Sequence, residues 1–253
     1  NLTTNKLHYI VKTDIKKCFH NIDKELVLDN LFFIKDETFM SYIKQFMETD
    51  IINKDGNIIN RSNSPAIQQG TVIGPLLSNI ALHSLDSLWM ENHRVSNKLE
   101  MIRYADDLLY LMKYKDNNFI TTIDNMFNKI NLARNTEKTK SINLRSGKPL
   151  RYLGYFIQLK RVKPLNLYIA PKKENINKLK HNISEIILNE NNVDSLVNKI
   201  KNMYSSFISF YRLSTKWDWL NDIKTYIEKL LLEKEVDAAK VLTELDLQEN
   251  DLI

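Results

Sequence analysis

The chain has 253 residues, 26% of them charged, and a formal net charge of +5, enough length to bury a core in one large domain or two. No apolar run reaches the roughly 18 residues that a membrane span requires. A single cysteine, Cys18, excludes an internal disulfide, fits a reducing compartment and, without Cys/His pairs, argues against a zinc site.

The charge is unevenly spread. Residues 233–253 hold seven acids against two lysines, which leaves +10 on residues 1–232. An excess of that kind favours a polyanionic partner. The chain starts at Asn1 with no charged-then-apolar leader, so its beginning reads as cut or processed.

Taken in order, His8 to Asp14 alternates as a strand and delivers Asp14 near its end. Asp23 is placed to cap a short helix carrying Leu26, Leu28, Leu31, Phe32 and Ile34, and a second helix is expected over Glu37 to Met47. Asp55-Gly56 between β-branched runs predicts a hairpin over 51–59. A polar loop over 60–69 follows. Pro75 then opens a helix whose apolar positions run from Leu77 to Trp89 over about four turns.

Met101 to Met112 reads as a hairpin of two apolar strands with Asp106 and Asp107 at its tight end. Beyond it come a helix over 118–132, a strand over 141–144 and a strand over 152–157, paired either through the Ser146 to Pro149 turn or with residues 163–169. After Pro171 three amphipathic helices are expected, over 174–189, 193–212 and 216–232. That shift from mixed to helical character sets a boundary near residue 165. The acidic tail from Glu233 is helical or frayed.

Adjacent acids at a hairpin tip carry the chemistry. Two unit charges about 4 Å apart repel by roughly 4 kcal/mol at an effective dielectric near 20, so such a pair persists where a cation neutralises it. If the strand ending in Asp14 lies beside that hairpin, three carboxylates converge, a ligand set for Mg²⁺-assisted phosphoryl transfer. Taken singly, the signals are ordinary: Asp-Asp a turn, Phe19 core, Gln69 a loop cap, Lys138 a solvated lysine and Leu153-Gly154 a bulged strand.

In order, Thr13 to Phe19, Gln68 to Ile80, Arg103 to Asp107, Glu137 to Thr139 and Tyr152 to Tyr155 resemble five successive reverse transcriptase motifs, and most resemble the group II intron-encoded reverse transcriptase/maturase family. The match is strong over about residues 7–160 and weaker over Tyr204 to Leu231, which resembles the family's thumb. The resemblance implies an α+β fold: a right-hand palm of mainly antiparallel sheet with helices over 1–164, an all-α thumb over 165–232, and the tail over 233–253.

It also implies roles. Asp14, Asp106 and Asp107 would hold two Mg²⁺ ions, with Mn²⁺ as a substitute, and Lys138 would protonate the leaving pyrophosphate. Ile15, Phe19, Gln69, Gly70, Tyr104 and Ala105 would line the nucleotide pocket, Phe19 as the gate against a ribose 2′-hydroxyl. Leu153 and Gly154 would belong to the primer grip, the missing side chain letting nucleic-acid backbone approach. Partners would be an RNA template or intron RNA, a DNA primer and dNTPs, with no membrane; nothing in the pattern fixes an oligomeric state.

Three departures stand out: His20 where the family usually has Asp, Gly74 where it commonly has Ser, and no basic fingers sequence ahead of Asn1. The last leads to the expectation that this stretch alone binds RNA but polymerises poorly. The basic residues Lys160, Arg161, Lys163, Lys172, Lys173, Lys178, Lys180 and Lys199 suit duplex phosphates. Tyr204, Phe207, Phe210, Tyr211, Trp217 and Trp219 read either as helix core or as stacking surfaces. Abundant Asn, Lys and Ile point to an AT-rich genome, hence a mitochondrial or bacterial cytoplasmic setting. The alternative is a non-catalytic RNA-binding maturase or a structural part of an RNA-protein assembly.

Overall fold

The computed structural model describes residues 7–49, 51–52, 55–59, 67, 70–93, 99–160 and 166–252. They form two compact units, residues 1–143 and 144–253.

The first unit is built on a four-stranded antiparallel sheet in the order β4 (Leu99–Tyr104), β5 (Asp107–Met112), β1 (Tyr9–Asp14), β6 (Lys140–Asn143). Central β5 is buried from Leu108 to Met112, which explains why it reads as a continuous apolar run rather than an alternation. Helices α4 (Gly74–Ala81), α5 (His83–His93) and α6 (Phe119–Asn128) supply Leu77, Ala81, Leu85, Trp89, Ile123 and Phe127 to a core shared with Val11, Leu108 and Tyr110. Each such fully buried large apolar side chain contributes about 1.5–3 kcal/mol. Trp89, Tyr110 and Phe119 meet at ring separations of 5.2 to 6.5 Å.

Most elements agree with the pattern, including α2 (Lys24–Asp29), where Asp23 accepts from the Glu25 amide, and α3 (Glu37–Glu48). The hairpin of β2 (Ile51–Ile52) and β3 (Ile58–Ile59) is also as expected. Two elements differ. A four-residue helix, α1 (Cys18–Asn21), follows Lys17. The helix expected from Pro75 to Trp89 is two helices meeting at Leu82, where ψ opens to −8° and the amides of Leu85 and Asp86 both turn to the Leu82 carbonyl.

The second unit has the sheet β7 (Leu150–Tyr152), β8 (Tyr155–Lys160), β9 (Asn166–Pro171) and helices α7 (Lys173–Asn189), α8 (Val193–Phe210), α9 (Asp218–Glu233) and α10 (Ala238–Leu252). The strand expected to run through 152–157 instead turns at Leu153-Gly154, so that Tyr152 pairs with Tyr155. Of the two pairings left open, β8 takes β9. The division at residue 143 falls ahead of the composition shift near 165, because Ala170, Tyr155 and Tyr168 of this sheet pack into the same core as the helices.

The acidic tail is ordered helix. Val241 and Leu245 are buried, and Glu244 and Asp246 pair with Lys201 and Lys224. Lys240 pairs with Asp194 at 2.6 Å. No described helix is long and apolar enough to cross a membrane.

Candidate active site

Antiparallel pairing of β1 with β5 sets Asp14 directly opposite Asp107. Asp106 joins them from the turn, its carbonyl accepting from the Ile15 amide at 3.2 Å. Two segments 92 residues apart in sequence thus bring three acids to one end of the sheet, as the motif spacing implied.

Asp14 is 8% exposed. Its Oδ2 accepts from Lys138 Nζ at 2.5 Å, while its Oδ1 is buried with no hydrogen-bond partner. A buried, unsatisfied carboxylate oxygen costs free energy unless a cation or water completes it. Asp107 lies 3.8 Å from Lys12 Nζ. Burial, reinforced by Asp14 and Asp107, pushes the Asp106 carboxyl above the usual range, although a backbone hydrogen bond opposes the shift. The Lys138 ammonium is held above its ordinary value by its hydrogen bond and charge contact with Asp14.

Asp14 and Asp106 border a cavity of about 490 Å³ whose lining is completed by Ile15, Lys17, Cys18, Phe19, His20, Asn135 and Lys138. Phe19 is half-buried, packing on the core while facing this cavity, so its core and gate readings are compatible. Cys18 is 3% exposed, and burial raises its thiol to about 11, so it is no nucleophile at neutral pH. Tyr104 is exposed at the end of β4. Gly70 is exposed at φ +90°, and among the described residues nothing lies within 4 Å of where its Cβ would stand. Gln69 lies outside the described residues.

The motif reading missed what holds this site. The Arg103 Nε donates to Asp86 Oδ1 at 2.8 Å and its Nη2 to Asp86 Oδ2, while Nη1 donates to Asn79 Oδ1 at 2.7 Å and to the Ala105 carbonyl at 3.3 Å. One guanidinium therefore ties the tip of β4 to α4 and α5. Ala105 has φ +52°, a left-handed conformation that side chains disfavour. On the other side, Asn135 donates its amide to the Asp14 carbonyl at 2.7 Å, and its Oδ1 accepts from the Lys138 amide at 3.3 Å. Arg134 braces this loop by donating to both oxygens of Asp124, at 2.7 and 3.1 Å, and to Thr139. Sequence spacing carries no sign of these partners, because each pair joins elements whose crossing is fixed only by the fold.

In the second unit, Leu153 and Gly154 occupy a turn with φ +43° and +84°. A Cβ on Gly154 would stand 2.8 Å from Tyr211 Oη and 3.2 Å from Asn175 Nδ2. The glycine therefore makes room for protein side chains rather than leaving an open approach for nucleic-acid backbone. Among the aromatics, Tyr204, Tyr211 and Trp219 are buried, Phe207 and Trp217 pack partly, and Phe210 is 60% exposed. Of the basic residues, Lys180 and Lys199 pair with Asp222 and Glu190. Lys172, Lys173 and Lys178 make no ion pair among the described residues. Arg161 and Lys163 lie outside the described residues.

An antiparallel sheet whose two central strands bring three acids to one end, with helices packed against it, has the architecture of a polymerase palm. The family model "Reverse transcriptase (RNA-dependent DNA polymerase)" matches residues 1–157. The chain belongs to that family.

Its relatives include the COX1/OXI3 intron 2 protein of Saccharomyces cerevisiae, 23% identical, with 71% of this chain and 27% of that protein covered. They also include the group II intron-encoded protein LtrA of Lactococcus lactis subsp. cremoris, 25% identical, with 67% and 38% covered. The chain thus spans about a quarter to two fifths of the length of these relatives. Among solved structures, telomerase from Candida tropicalis is similar at 15% identity and a TM-score of 0.49 in its apo, C-terminally truncated form, covering 65% of this chain and 35% of that one. In complex with a telomeric RNA fragment it gives 14%, 0.48, 98% and 50%. Both scores fall below the level at which two folds can be equated.

Proposed function

We propose that this chain is the catalytic palm of an RNA-directed DNA polymerase of the group II intron type, followed by the helices of its thumb. The observation that carries the reading is the register of β1 against β5, which faces Asp14 with Asp107 and adds Asp106 at the turn.

The donor set fits magnesium. Carboxylate oxygens are its preferred ligands, and the orphaned Asp14 Oδ1 calls for a cation. Among the described residues no three His, Cys, Asp or Glu side chains are grouped, as they stand, so that they could hold a metal ion. Mg²⁺ suits such a half-built site, because it is usually held by one or two carboxylates plus waters and substrate phosphates. Asp14, Asp106 and Asp107 would hold the two ions, which when bound would activate a primer 3′-hydroxyl and neutralise an incoming triphosphate.

The chain's own residues do the rest. Phe19 lines the cavity, and on this reading a deoxyribose would lie against its ring, which would exclude a 2′-hydroxyl. Ile15, Gly70, Tyr104 and Ala105 would border the nucleotide, with Gln69. The Lys138 ammonium, hydrogen-bonded to Asp14 and held above its ordinary value by it, would on this reading be the group that gives a proton to a leaving pyrophosphate. Partners on this reading are an RNA template, a DNA primer and dNTPs, in a mitochondrial or bacterial setting. Leu153 and Gly154 would shape the primer side through the turn that Tyr211 secures.

The second reading, RNA binding without polymerisation, draws support from Lys138 and Lys12, which already neutralise Asp14 and Asp107. Primer extension on an RNA template by the complete protein separates the two. Asp106→Asn is expected to lower Mg²⁺-dependent extension by about a thousandfold or more, the scale of losing a central electrostatic group, while RNA affinity stays within about twofold. Equal extension by parent and variant would end the polymerase reading.

A further inference from the structure

Lys17 stands apart from the other residues around the cavity. Its φ of +46° is left-handed, which costs free energy for any side chain beyond glycine. The conformation is imposed by its surroundings. The Lys16 amide donates to the Ala133 carbonyl at 2.8 Å, the Lys16 carbonyl accepts from Asn21 Nδ2 at 2.7 Å, and the Lys17 carbonyl accepts from the amides of His20 and Asn21 at 2.9 and 3.0 Å. Glycine would sit there without strain. A use for the lysine side chain is therefore to be sought nearby.

The cavity supplies that use. Lys138 pairs with Asp14, whereas Lys17 makes no ion pair among the described residues, is exposed and lines the same cavity as His20 and Phe19. Acids and a cation that makes no ion pair among the described residues, lining one cavity, suit a ligand that is itself divided. Its metal-neutralised phosphates would face Asp14 and Asp106, and its remaining negative charge would need a partner. A cavity of about 490 Å³ is within the usual range for a small-molecule site.

We propose that the Lys17 ammonium binds the outer phosphates of the incoming nucleoside triphosphate and so helps set its affinity. The inference rests on the polymerase reading of the site and adds to it a residue that the motif comparison left without a role. Lys17 contacts substrate, not metal, and its loss weakens nucleotide binding without disturbing the acids.

The test uses the complete protein bound to an RNA template and a primer ending in a 2′,3′-dideoxynucleotide, so that dTTP binds but cannot be joined. Lys17→Ala keeps the strained backbone and removes the charge, Lys17→Gly removes both, and Lys17→Arg keeps the charge. The expected result is dTTP affinity about tenfold weaker in the Ala and Gly variants, as for loss of a hydrogen bond between charged groups, and near parental in Arg. Lys17→Gly should melt about 2 °C above Lys17→Ala, which shows that weaker binding does not follow stability. Unchanged dTTP affinity in Ala and Gly overturns the proposal. So does a loss confined to template-primer affinity, which would make Lys17 a contact to nucleic-acid backbone. A parent that binds dTTP yet never extends an ordinary primer overturns the polymerase reading and leaves the Lys17 contact standing, whereas a parent that binds no dTTP overturns both.

Discussion

The β4–β5 and β7–β8 hairpins both turn over two residues, Ala105-Asp106 in one and Leu153-Gly154 in the other, and they are held by different forces. The first is gripped by a guanidinium that reaches two helices and the turn carbonyl, and its Asp106 lines a cavity. The second is roofed over. The Gly154 carbonyl accepts from the Lys172 amide at 3.0 Å and from Asn175 Nδ2 and Tyr211 Oη at 3.3 Å each, with Phe210 close by. A tip meant to meet cations and substrate has to be fixed without being covered, and charge-assisted bonds from one side do that. A tip that organises a core can be buried under side chains.

If that contrast holds, exchanging glycine and alanine should matter more at the covered turn than at the open one, so the largest effect belongs to the covered one. Gly154→Ala must place a Cβ 2.8 Å from Tyr211 Oη at φ +84°, so overpacking and backbone strain add to about 2–4 kcal/mol of destabilisation. Denaturant unfolding followed by tryptophan fluorescence reports it, since Trp219 lies 6.4 Å from the Tyr211 ring. In a Tyr211→Phe background the obstructing hydroxyl is gone, and the cost of the alanine should fall by about 1 kcal/mol, the scale of coupling between touching residues. A cost unchanged by Tyr211→Phe would mean that φ alone, not the roof, demands glycine.

How much of this contrast can be read from residues alone differs between the tips. The acids are legible only in company: two adjacent aspartates between apolar runs read as a turn, and it is the order of the surrounding motifs that singles them out, with antiparallel pairing then setting them beside Asp14. Tyr152-Leu153-Gly154-Tyr155 reads as one strand, since leucine disfavours positive φ and the usual Asn-Gly or Asp-Gly signal is missing. What overrides that preference is Tyr211, far along the chain and invisible in local pattern. The break at Leu82 and the short α1 escaped for a related reason: apolar spacing survives a local tightening of the helix, and four residues are too few to show a period.

Below the acids, the grip on the open tip sets the next effect. Arg103→Leu leaves Asp86 and Asn79 facing an apolar group and frees the Ala105 carbonyl. Because the arginine side chain is 10% exposed and that of Asp86 30%, the loss should be about 2 kcal/mol, less than for a fully buried pair. If the guanidinium positions the acids as well as stabilising the fold, the Mg²⁺ concentration for half-maximal extension should rise several-fold at a temperature where the variant is fully folded. Arg103→Lys keeps the charge but cannot form the fork on both Asp86 oxygens, so it should repair stability in part and the metal requirement little. A parental metal requirement in Arg103→Leu would reduce the arginine to a structural brace.

The smallest effect is the sharpest for the comparison. Ala105→Gly relieves a φ of +52°, worth about 1–2 kcal/mol for an L side chain, and loses about 0.5–1 kcal/mol to the greater freedom of glycine in the unfolded chain. The net is a stabilisation of about 0.5 kcal/mol, measurable as a higher denaturant midpoint with unchanged slope. Glycine should thus be gained at the open tip and missed at the covered one, although both turns carry a side chain at positive φ. Were Ala105→Gly to destabilise instead, the Arg103 bond to the Ala105 carbonyl would be maintaining a turn that glycine abandons, and the strain at the tip would be part of how the acids are aimed.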